Sequence, residues 1–408
     1  MRGDLPPWCI IYGVLEAPNN KRGLNKQPQN TQGGQVMNKC SIEISLGMDV
    51  SDKSIELFSL SKDSDTGKRG QIVNSRESLM AFCDSIADPS KVLVAMEAGA
   101  HSAWHTELLE QRGFHVVVGN ARKLAAIWTN KNKSDREDAE MLARLARSDI
   151  NLLAPIRHMP TSLRVDLAVV KTRNTVSECR TKLISTVRGM LTSFGISAKG
   201  ITADNFTTEV SKIVPKELRP AMNGILKEIR SMQLSLKAYD RIVTKLNKKY
   251  PDTAKVSQIT GVGELTALAF VLMVGNPNRF GNGSRVARFF GITPKRDQSG
   301  EVDKQLGITK EGNGLMRRLL VQCANYVMSR GPDCELRRFG ERIAARGGKI
   351  AKRKAKVAVA RKITKLMFSL WLTGEVYDPE YKKHSREARK IKKSEDITTI
   401  EQPGLAMA

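Results

Sequence analysis

The sequence predicts an α/β domain in its first half, a helical coiled-coil linker in the middle and a mainly α-helical domain in its second half. Three observations support this order. Apolar residues alternate roughly by two along residues 42–60 and form continuous runs at 92–96 and 115–118, as strands do. Apolar residues recur at steps of three and four along residues 222–246, as in a heptad repeat. Glycine turns and apolar helical stripes follow from about residue 256.

The composition predicts a polyanionic partner. The 408 residues are enough for two or three domains, and they carry a formal net charge of +25. Clustered Lys and Arg release counterions from phosphate backbones, so nucleic acid is the first candidate and an anionic membrane surface is the competitor. No apolar run in the sequence is long enough to span a bilayer, which argues against a membrane protein.

Cysteine and histidine usage argues against zinc and disulfide sites. The six cysteines show no CxxC spacing and no pairing with histidines, and a reducing cytoplasm fits this pattern. Only five histidines are present, so we do not expect a histidine-based catalyst or metal site. His101 and His105 share a helical spacing, for which an ordinary surface role is the better interpretation.

Shifts in composition predict the domain boundaries. Residues 1–36 are rich in Asn, Gln, Gly and Pro and are expected to form a disordered extension. Met37 directly precedes the first structured segment, so we hypothesise that it is the natural start, which N-terminal sequencing would test. The other predicted segments are an α/β domain at 37–195, a coiled-coil linker at 196–253, a further domain at 254–342 and a basic helical tail at 343–408, disordered after about 394.

The α/β domain is predicted to have three strands followed by helix, strand, helix, strand and helix. The expected elements are strands at 42–50, 55–60 and 71–73, a helix at 75–87, a strand at 92–96, a helix at 102–111, a strand at 115–118 and a helix from about 134. This is the element order of the ribonuclease H fold, which catalyses phosphodiester chemistry with carboxylates carried on its strands.

Four carboxylates in this domain are candidates for one site. Asp49 lies in the first strand, and Glu97 ends a strand expected to be its parallel neighbour. Ligands gather at the carboxyl ends of strands in open sheets. Asp135 and Asp138 lie three residues apart at the start of a helical run and would share a face. Taken singly, each has a plainer explanation, such as a strand-end turn, a helix start or a first-turn acid favoured by the helix dipole.

Taken together, the four acids predict a site for two divalent cations. Carboxylates in one cleft repel one another and raise one another's pKa values unless cations neutralise them. Hard divalent ions with oxygen ligands, Mg²⁺ by default or Mn²⁺, would do so and would clamp the attacking and leaving oxygens of an in-line displacement.

Two helical segments are expected between the domains. Residues 161–194 form a basic amphipathic pattern, for which a solvated face and phosphate contact are equally good explanations. The heptad seam consists of Met222, Ile225, Ile229, Met232, Leu236, Tyr239, Val243 and Leu246. Such a seam can pack within the subunit, but a helical stalk with little other core around it pairs more often with a partner helix, so we predict a coiled coil that mediates dimerisation.

The C-terminal part is strongly basic. Between residues 341 and 393 there are 17 Lys and Arg against 5 Asp and Glu. A helix from Lys349 to about Trp371 has an apolar stripe on one side and this charge on the other. A solvated basic helix is the plain explanation, and binding to a nucleic-acid backbone is the better one.

Three N-terminal segments resemble the signatures of the DEDD transposases of insertion sequence family one-ten (IS110), which also includes pilin-inversion recombinases. These segments are Gly47-Met48-Asp49-Val50-Ser51, Ala95-Met96-Glu97-Ala98-Gly99 and Lys133-Ser134-Asp135-Arg136-Glu137-Asp138-Ala139. Arg122 and Lys123 occupy the position of a basic turn in that family, here without its usual Pro.

The second half resembles the C-terminal domain of the same family. The matching motifs are Gly261-Val262-Gly263, Gly291-Ile292-Thr293-Pro294, Ser299-Gly300 and Lys310-Glu311-Gly312-Asn313-Gly314-Leu315-Met316-Arg317. Ile292 replaces the usual Leu, and Glu301 follows Ser-Gly where Gly is common. The two ordered blocks of resemblance cover roughly residues 45–330.

The resemblance implies a site-specific DNA recombinase with a RuvC-type first domain and a serine-bearing transposase domain. It implies that Asp49, Glu97, Asp135 and Asp138 hold the metal and that Ser299 becomes covalently linked to DNA. Nucleic-acid contact is predicted for Arg122, Lys123, Lys133, Lys310, Asn313, Arg317 and Arg318, with packing and capping left open for the last four.

The resemblance also implies partners and a location. The partners are DNA at the element ends and at the target, a tetramer built from dimers on paired DNA sites and, for some members, a guide RNA encoded in the element. The implied location is the bacterial cytoplasm, in association with the nucleoid.

Two other functions are open at this point. A metal-dependent nuclease, such as a Holliday-junction resolvase, would use the same acids with water as the nucleophile and without a covalent intermediate. A non-catalytic basic nucleic-acid-binding protein would carry the acids for structural reasons only.

Overall fold

The computed structural model describes residues 41–127, 135–299 and 302–381. The chain divides into two compact units, residues 1–159 and 160–408. The predicted disordered ends and Met37 lie outside the described residues. No helix within the described ranges combines the length and the apolar character that a membrane span requires.

The first unit is a five-stranded sheet with helices on both faces. Its strands are β1 (Ile44–Val50), β2 (Ser54–Ser61), β3 (Lys68–Val73), β4 (Val92–Glu97) and β5 (His115–Gly119). Its helices are α1 (Arg76–Asp84), α2 (Ser102–Gln111), α3 (Ala121–Ile127) and α4 (Asp135–Ser148). The strands are ordered β3-β2-β1-β4-β5, with β1, β4 and β5 parallel and the β1–β2 and β2–β3 pairs antiparallel. The element order predicted from the sequence is confirmed, except that α3 is an additional helix between β5 and α4.

The two faces of this sheet carry separate cores. On one face, Met48 packs with Leu79 of α1 and Leu109 of α2. On the other face, Ala95 packs with Leu142 of α4. Because side chains alternate along a strand, neighbouring residues of β4 contribute to opposite cores. This explains why β4 is a continuous apolar run rather than an alternating one.

The second unit is mainly helical, and its described residues include one hairpin. Its long helices are α5 (Thr161–Ser193) and α7 (Arg219–Lys249), with α6 (Phe206–Ile213) between them. Its remaining elements are α8 (Asp252–Ser257), α9 (Glu264–Val274), α10 (Gly283–Phe289), β6 (Pro294–Ser299), β7 (Val302–Ile308), α11 (Gly314–Ser329), α12 (Glu335–Ala344) and α13 (Gly348–Thr373).

The heptad seam of α7 is covered inside the chain. Met222 and Ile229 are fully buried in a cluster with Val187 of α5 and Phe206 of α6. Further along the same two helices, Arg173 of α5 forms an ion pair with Asp240 of α7. The prediction of an apolar seam is therefore right, and α5 of the same chain packs against its first part. Dimerisation through this helix stays a prediction.

Two helices of the second unit, α5 and α13, were assigned to other segments in the sequence analysis. α5 lies in the second unit, whereas the sequence analysis grouped it with the α/β domain. α13, which the sequence analysis placed in a C-terminal tail, buries Ile363, Met367 and Trp371 in its second half. Trp371 packs against Phe270 of α9, so α13 is a central helix of this unit.

Candidate functional site

Asp49 and Glu97 lie at the carboxyl ends of two neighbouring parallel strands, as the next-to-last residue of β1 and the last residue of β4. β1 and β4 pair in register up to Met48 opposite Met96, so Asp49 and Glu97 follow at the same level. Gly47, two residues before Asp49, contacts α4, so Asp49 shares the α4 face of the sheet. Both acids are half-buried. The fold therefore places the two predicted strand acids side by side.

A close contact between β1 and α4 determines where Asp135 and Asp138 lie. Gly47 has no side chain, and a Cβ atom at this position would overlap with the carbonyl oxygen of Ala139 and lie 2.8 Å from the Ala143 nitrogen. The helix backbone therefore rests directly on the strand backbone. Asp138 precedes Ala139, and Asp135 lies one turn earlier near the same helix face.

α4 runs antiparallel to β1. Near its start, Arg136 Nε lies 3.9 Å from Glu56 Oε2, and Glu56 is directly opposite Asp49 in the β1–β2 pairing. Near its end, Arg147 Nη1 donates a 2.8 Å hydrogen bond to the carbonyl oxygen of Ser64, beyond the far end of β2. The first turn of α4, with its two acids, therefore lies at the edge where β1 and β4 end.

The four acids lie at one edge of the sheet, but their side chains do not form a cluster of metal ligands. Asp138 is buried, with 7% of its surface exposed, whereas Asp135 is exposed. In the part of the chain that the structure describes, no three His, Cys, Asp or Glu side chains are close enough together to hold a metal ion. The backbone thus brings the acids to one edge and one face, and side-chain movement would be needed to bring their oxygens together.

Glu56 is a fifth carboxylate at this edge, and the sequence analysis did not assign it. Glu56 and Asp49 are cross-strand partners, and like charges in that position destabilise a sheet. Gln71 Nε2 donates a hydrogen bond to Glu56, and Arg136 offsets part of the repulsion. The signal was present in the strand alternation, because Glu56 shares a face with Phe58, which is buried beside α4.

Two histidines connect the turn after β1 with the helix after β4. His105 is fully buried, which corrects the expectation of a surface role. Its Nε2 lies 3.1 Å from Asn74 Oδ1, and its Nδ1 lies 2.8 Å from the His101 carbonyl oxygen. Burial lowers the pKa of His105 to about 4, although the hydrogen bond to His101 acts in the opposite direction. His101 Nε2 in turn lies 3.0 Å from Asp52 Oδ1.

Two of the predicted basic residues lie at the same edge of the sheet. Glu97 is opposite Gly119, the last residue of β5, and α3 begins two residues later. Arg122 and Lys123 are exposed in the first turn of α3. The structure therefore brings Arg122 and Lys123 to the carboxyl edge that carries the acids. Lys133 lies outside the described residues.

Ser299 is the last residue of β6. The antiparallel β6–β7 pairing ends with Ser299 opposite Val302, and two residues of the sequence separate the strands. Ser299 therefore stands at the tip of a hairpin in the second unit. This placement is one that a Ser-Gly turn signal predicts.

The base of this hairpin is formed by two crossing segments. A Cβ atom at Gly291 would overlap with the carbonyl oxygen of Glu311, and one at Gly312 would overlap with the carbonyl oxygen of Phe289. Both glycines have positive φ angles, 67° and 86°, which L side chains rarely adopt. The Gly-Ile-Thr-Pro and Lys-Glu-Gly-Asn motifs of the sequence are therefore in direct backbone contact.

Arg317 ties these two segments together. Its Nη1 donates hydrogen bonds to the carbonyl oxygens of Phe290, Glu311 and Gly312, at 3.2, 3.1 and 3.0 Å. Burial lowers the pKa of Arg317, and the charge of Arg318 adds to this effect. Packing, one of the two roles that the sequence left open for Arg317, is what this geometry favours.

The other three residues of this motif have different surroundings. Asn313 caps α11, because its Oδ1 accepts a 3.1 Å hydrogen bond from the Met316 nitrogen. Arg318 Nη2 pairs with Glu178 Oε1 at 2.5 Å. Lys310 is exposed and has a φ angle of 55°. Only Lys310 and Arg318 extend charge towards solvent.

Family models match both units. The family model of the IS110 DEDD transposases, whose description is Transposase, matches residues 46–196. This range includes all four predicted acids. A second model, described as Transposase IS116/IS110/IS902 family, matches residues 253–339 and so includes Ser299 and Arg317. The two matched regions together span more than half of the chain.

Similar proteins carry the same description. The transposase for insertion sequence element IS1111A of Coxiella burnetii is 28% identical over 271 residues, which is 64% of this chain and 70% of that protein. A Sinorhizobium fredii protein that carries the name of a transposase, y4pF/y4sB, is 27% identical over 357 residues, 84% of this chain and 89% of that protein. The transposase for element IS1328 of Yersinia enterocolitica is 23% identical over 291 residues, 70% and 84% of the two chains.

The acids at one sheet edge, the serine at a hairpin tip and both family models lead to the same assignment. The chain belongs to the IS110 family of DEDD transposases.

Proposed function

We propose that this transposase cuts and rejoins DNA with divalent cations held by Asp49, Glu97, Asp135 and Asp138 and with Ser299 as the nucleophile. One observation carries the proposal: the ends of β1 and β4 and the first turn of α4 meet at one edge and on one face of the sheet. The strand order and the position of α4 also support a ribonuclease H-like, RuvC-type first unit.

The donor set fits a hard cation, because all four groups are carboxylates. Mg²⁺ or Mn²⁺ bound there would neutralise them and stabilise the charge on the attacking and leaving oxygens. The near approach of Glu56 to Asp49 adds a further reason for positive charge at this edge. Arg122 and Lys123, at the same edge, would contact phosphates of the bound strand.

In the proposed reaction, Ser299 exchanges one phosphodiester bond for another. Its hydroxyl loses a proton and forms an Oγ–P bond as one bridging P–O bond of the DNA breaks, which frees a deoxyribose hydroxyl. In rejoining, a deoxyribose hydroxyl attacks the serine-linked phosphate, the Oγ–P bond breaks and the serine recovers a proton. The number of phosphodiester bonds is therefore conserved without an external energy source.

The test uses the full chain, DNA that carries the element junction, and Mg²⁺. Ser299→Ala is expected to abolish a protease-sensitive covalent DNA adduct and strand exchange, whereas Ser284→Ala, at an exposed position of α10, keeps both. Glu97→Gln and Asp135→Asn are expected to reduce cleavage at least about 100-fold, because each removes the charge of a metal ligand. This corresponds to a loss of transition-state stabilisation of about 3 kcal/mol. Asp65→Asn, at the opposite edge beside Arg147, keeps cleavage.

Other outcomes would point to the alternative functions. If Ser299→Ala still cuts DNA without forming an adduct, the chain is a metal-dependent nuclease that uses water. If the acid variants and EDTA leave every activity unchanged, the carboxylates are structural. Assembly into a tetramer and the use of an element-encoded guide RNA stay predictions of the family resemblance.

A further inference from the structure

A dense cluster of exposed cations lies where α12 ends and α13 begins. We define the basic corner as the exposed residues Arg342, Arg346, Lys349, Lys352, Arg353, Lys354 and Lys356. The sequence contains no Asp or Glu between Glu341 and Glu375. Glu341 itself pairs with Arg337, and within the described ranges no ion pair joins a member of the basic corner to a carboxylate. The positive charge of this corner is therefore not neutralised by the residues described around it.

The first two turns of α13 present this charge as a stripe. Lys349, Lys352, Arg353 and Lys356 follow the spacing of three, four and seven residues that places side chains on one face of a helix. Ala351 and Ala355, on the other side of the helix, are buried. The stripe spans about 10 Å along the helix, at 1.5 Å per residue. The buried alanines hold α13 in place, so the cations face away from the core.

We propose that the basic corner binds the phosphate backbone of duplex DNA. The proposal does not rest on the chemistry proposed for the acids and Ser299. Regularly spaced cations on a rigid helix match a regular array of phosphates, and each contact releases a condensed counterion.

The composition of the corner disfavours other polyanions and surfaces. It contains no aromatic side chain on which single-stranded bases could stack. Ile350, 69% exposed, is the one large apolar side chain exposed between residues 342 and 356, and an interfacial membrane helix needs a whole apolar face. The face that could serve this purpose is occupied by Ala351 and Ala355, which pack inside the protein.

The experiment measures the salt dependence of DNA binding by the full chain. Anisotropy titrations with a random 30-base-pair duplex would be performed in EDTA, so that cleavage does not contribute and failure of the proposed chemistry leaves the result unaffected. The variant carries Lys349→Gln, Lys352→Gln, Arg353→Gln and Lys356→Gln. Its slope of log K against log salt is expected to be shallower by about 3 to 4, and its affinity at 0.15 M salt lower by about 100-fold, because each phosphate contact contributes about 0.9 to the slope.

A matched control removes four exposed cations from α7. Lys227→Gln, Arg230→Gln, Lys237→Gln and Lys245→Gln together are expected to change the slope by less than 1. If the corner variant keeps the wild-type slope, if the control lowers the slope equally, or if the loss occurs with duplex RNA but not with duplex DNA, the proposal is overturned. If the fourfold variant loses its helical circular dichroism signal, the single variant Lys352→Gln tests the proposal instead. Its slope of log K against log salt is expected to be shallower by about 0.9.

Discussion

Two adjacent arginines of α11 have opposite surroundings. Arg317 points inward and donates to three backbone carbonyl groups at the hairpin base, whereas Arg318 is half exposed and pairs with Glu178. The sequence motif predicts phosphate contact equally for both. Only the structure separates the two, because the difference lies in which carbonyl groups the loop before α11 presents.

The first prediction concerns Arg317. Arg317→Gln is expected to lower the free energy of unfolding by about 1 kcal/mol, because three carbonyl groups at the hairpin base, two of them partly buried, lose their donor. It is expected to leave the salt slope of DNA binding unchanged, whereas a lost phosphate contact would make the slope shallower by about 0.9. Chemical denaturation and anisotropy titration measure the two effects.

A matched control for this prediction is Arg337→Gln. Arg337 Nη1 also donates to a backbone carbonyl, that of Gly331 at 2.8 Å, but it lies at the start of α12 rather than at the hairpin base. Both variants should lose stability, but only Arg317→Gln should also reduce formation of the Ser299 adduct. Equal adduct yields at equal stability loss would contradict a positioning role for Arg317.

Some residues of the candidate site could be predicted from the sequence and others could not. Asp49 and Glu97 could be predicted because each ends a recognisable strand. For Glu56, the strand alternation could predict the α4 face but not the position opposite Asp49. That position depends on the register of β1 against β2, which a strand pattern alone does not determine. His105 was misjudged for a similar reason, since helical spacing does not reveal the turn that covers it.

At the scale of elements, the seating of α4 on β1 controls the site. The second prediction is that Gly47→Ala lowers the free energy of unfolding by about 1–3 kcal/mol, the usual cost of overpacking. The added Cβ meets backbone atoms of Ala139, so α4 has to shift, and the first-turn acids shift with it. Cleavage is therefore expected to fall more than stability alone explains.

The control for Gly47 is Gly70→Ala in β3. A Cβ at Gly70 would make only ordinary contacts, at 3.9 Å or more, with Leu57. This variant should change neither the melting temperature by more than about 2 °C, as expected for a shift below 0.5 kcal/mol, nor the cleavage rate. Wild-type cleavage by Gly47→Ala would show that the position of α4 does not matter to the reaction.

The long helices show what an apolar period can and cannot predict. The steps of three and four along α7 identify the buried face correctly, because the period is a property of one helix. The identity of the covering helix is a property of the fold, and here α5 of the same chain covers Met222 and Ile229. The period of α7 could therefore not predict that α5 of the same chain pairs with it.

At the scale of the whole molecule, each unit has its own hydrophobic clusters. The clusters around Met48 and Leu142 contain residues of the first unit only, and the cluster around Val187 and Ile229 contains residues of the second unit only. Separate cores are the usual condition for independent folding. Sequence composition could predict two domains. The boundary predicted at residue 195 lies close to the end of the first family match, whereas the contacts place α5 in the second unit.

The third prediction follows from this division. A fragment of residues 41–159 is expected to unfold in one cooperative transition, because both faces of its sheet are covered by its own helices. A fragment of residues 37–195, the boundary expected from sequence, carries α5 without α7 and is expected to associate through the exposed apolar face of α5. Thermal circular dichroism and light scattering of the two fragments distinguish these outcomes.

The comparison of fragments has a clear negative result. If residues 37–195 are monomeric and residues 41–159 show no cooperative transition, α5 belongs structurally to the α/β domain. The boundary would then agree with the first family match, which ends at residue 196.

The backbone contact at Gly47 also limits how such transposases can diverge. The obstacle to a larger residue is a main-chain oxygen, which every amino acid possesses, so no replacement at position 139 could make room. A mutation at position 47 would therefore lack a compensating partner mutation and would be removed by selection. We expect glycine two positions before the first acid to be as invariant among active descendants as the acid itself, although it takes no part in the chemistry.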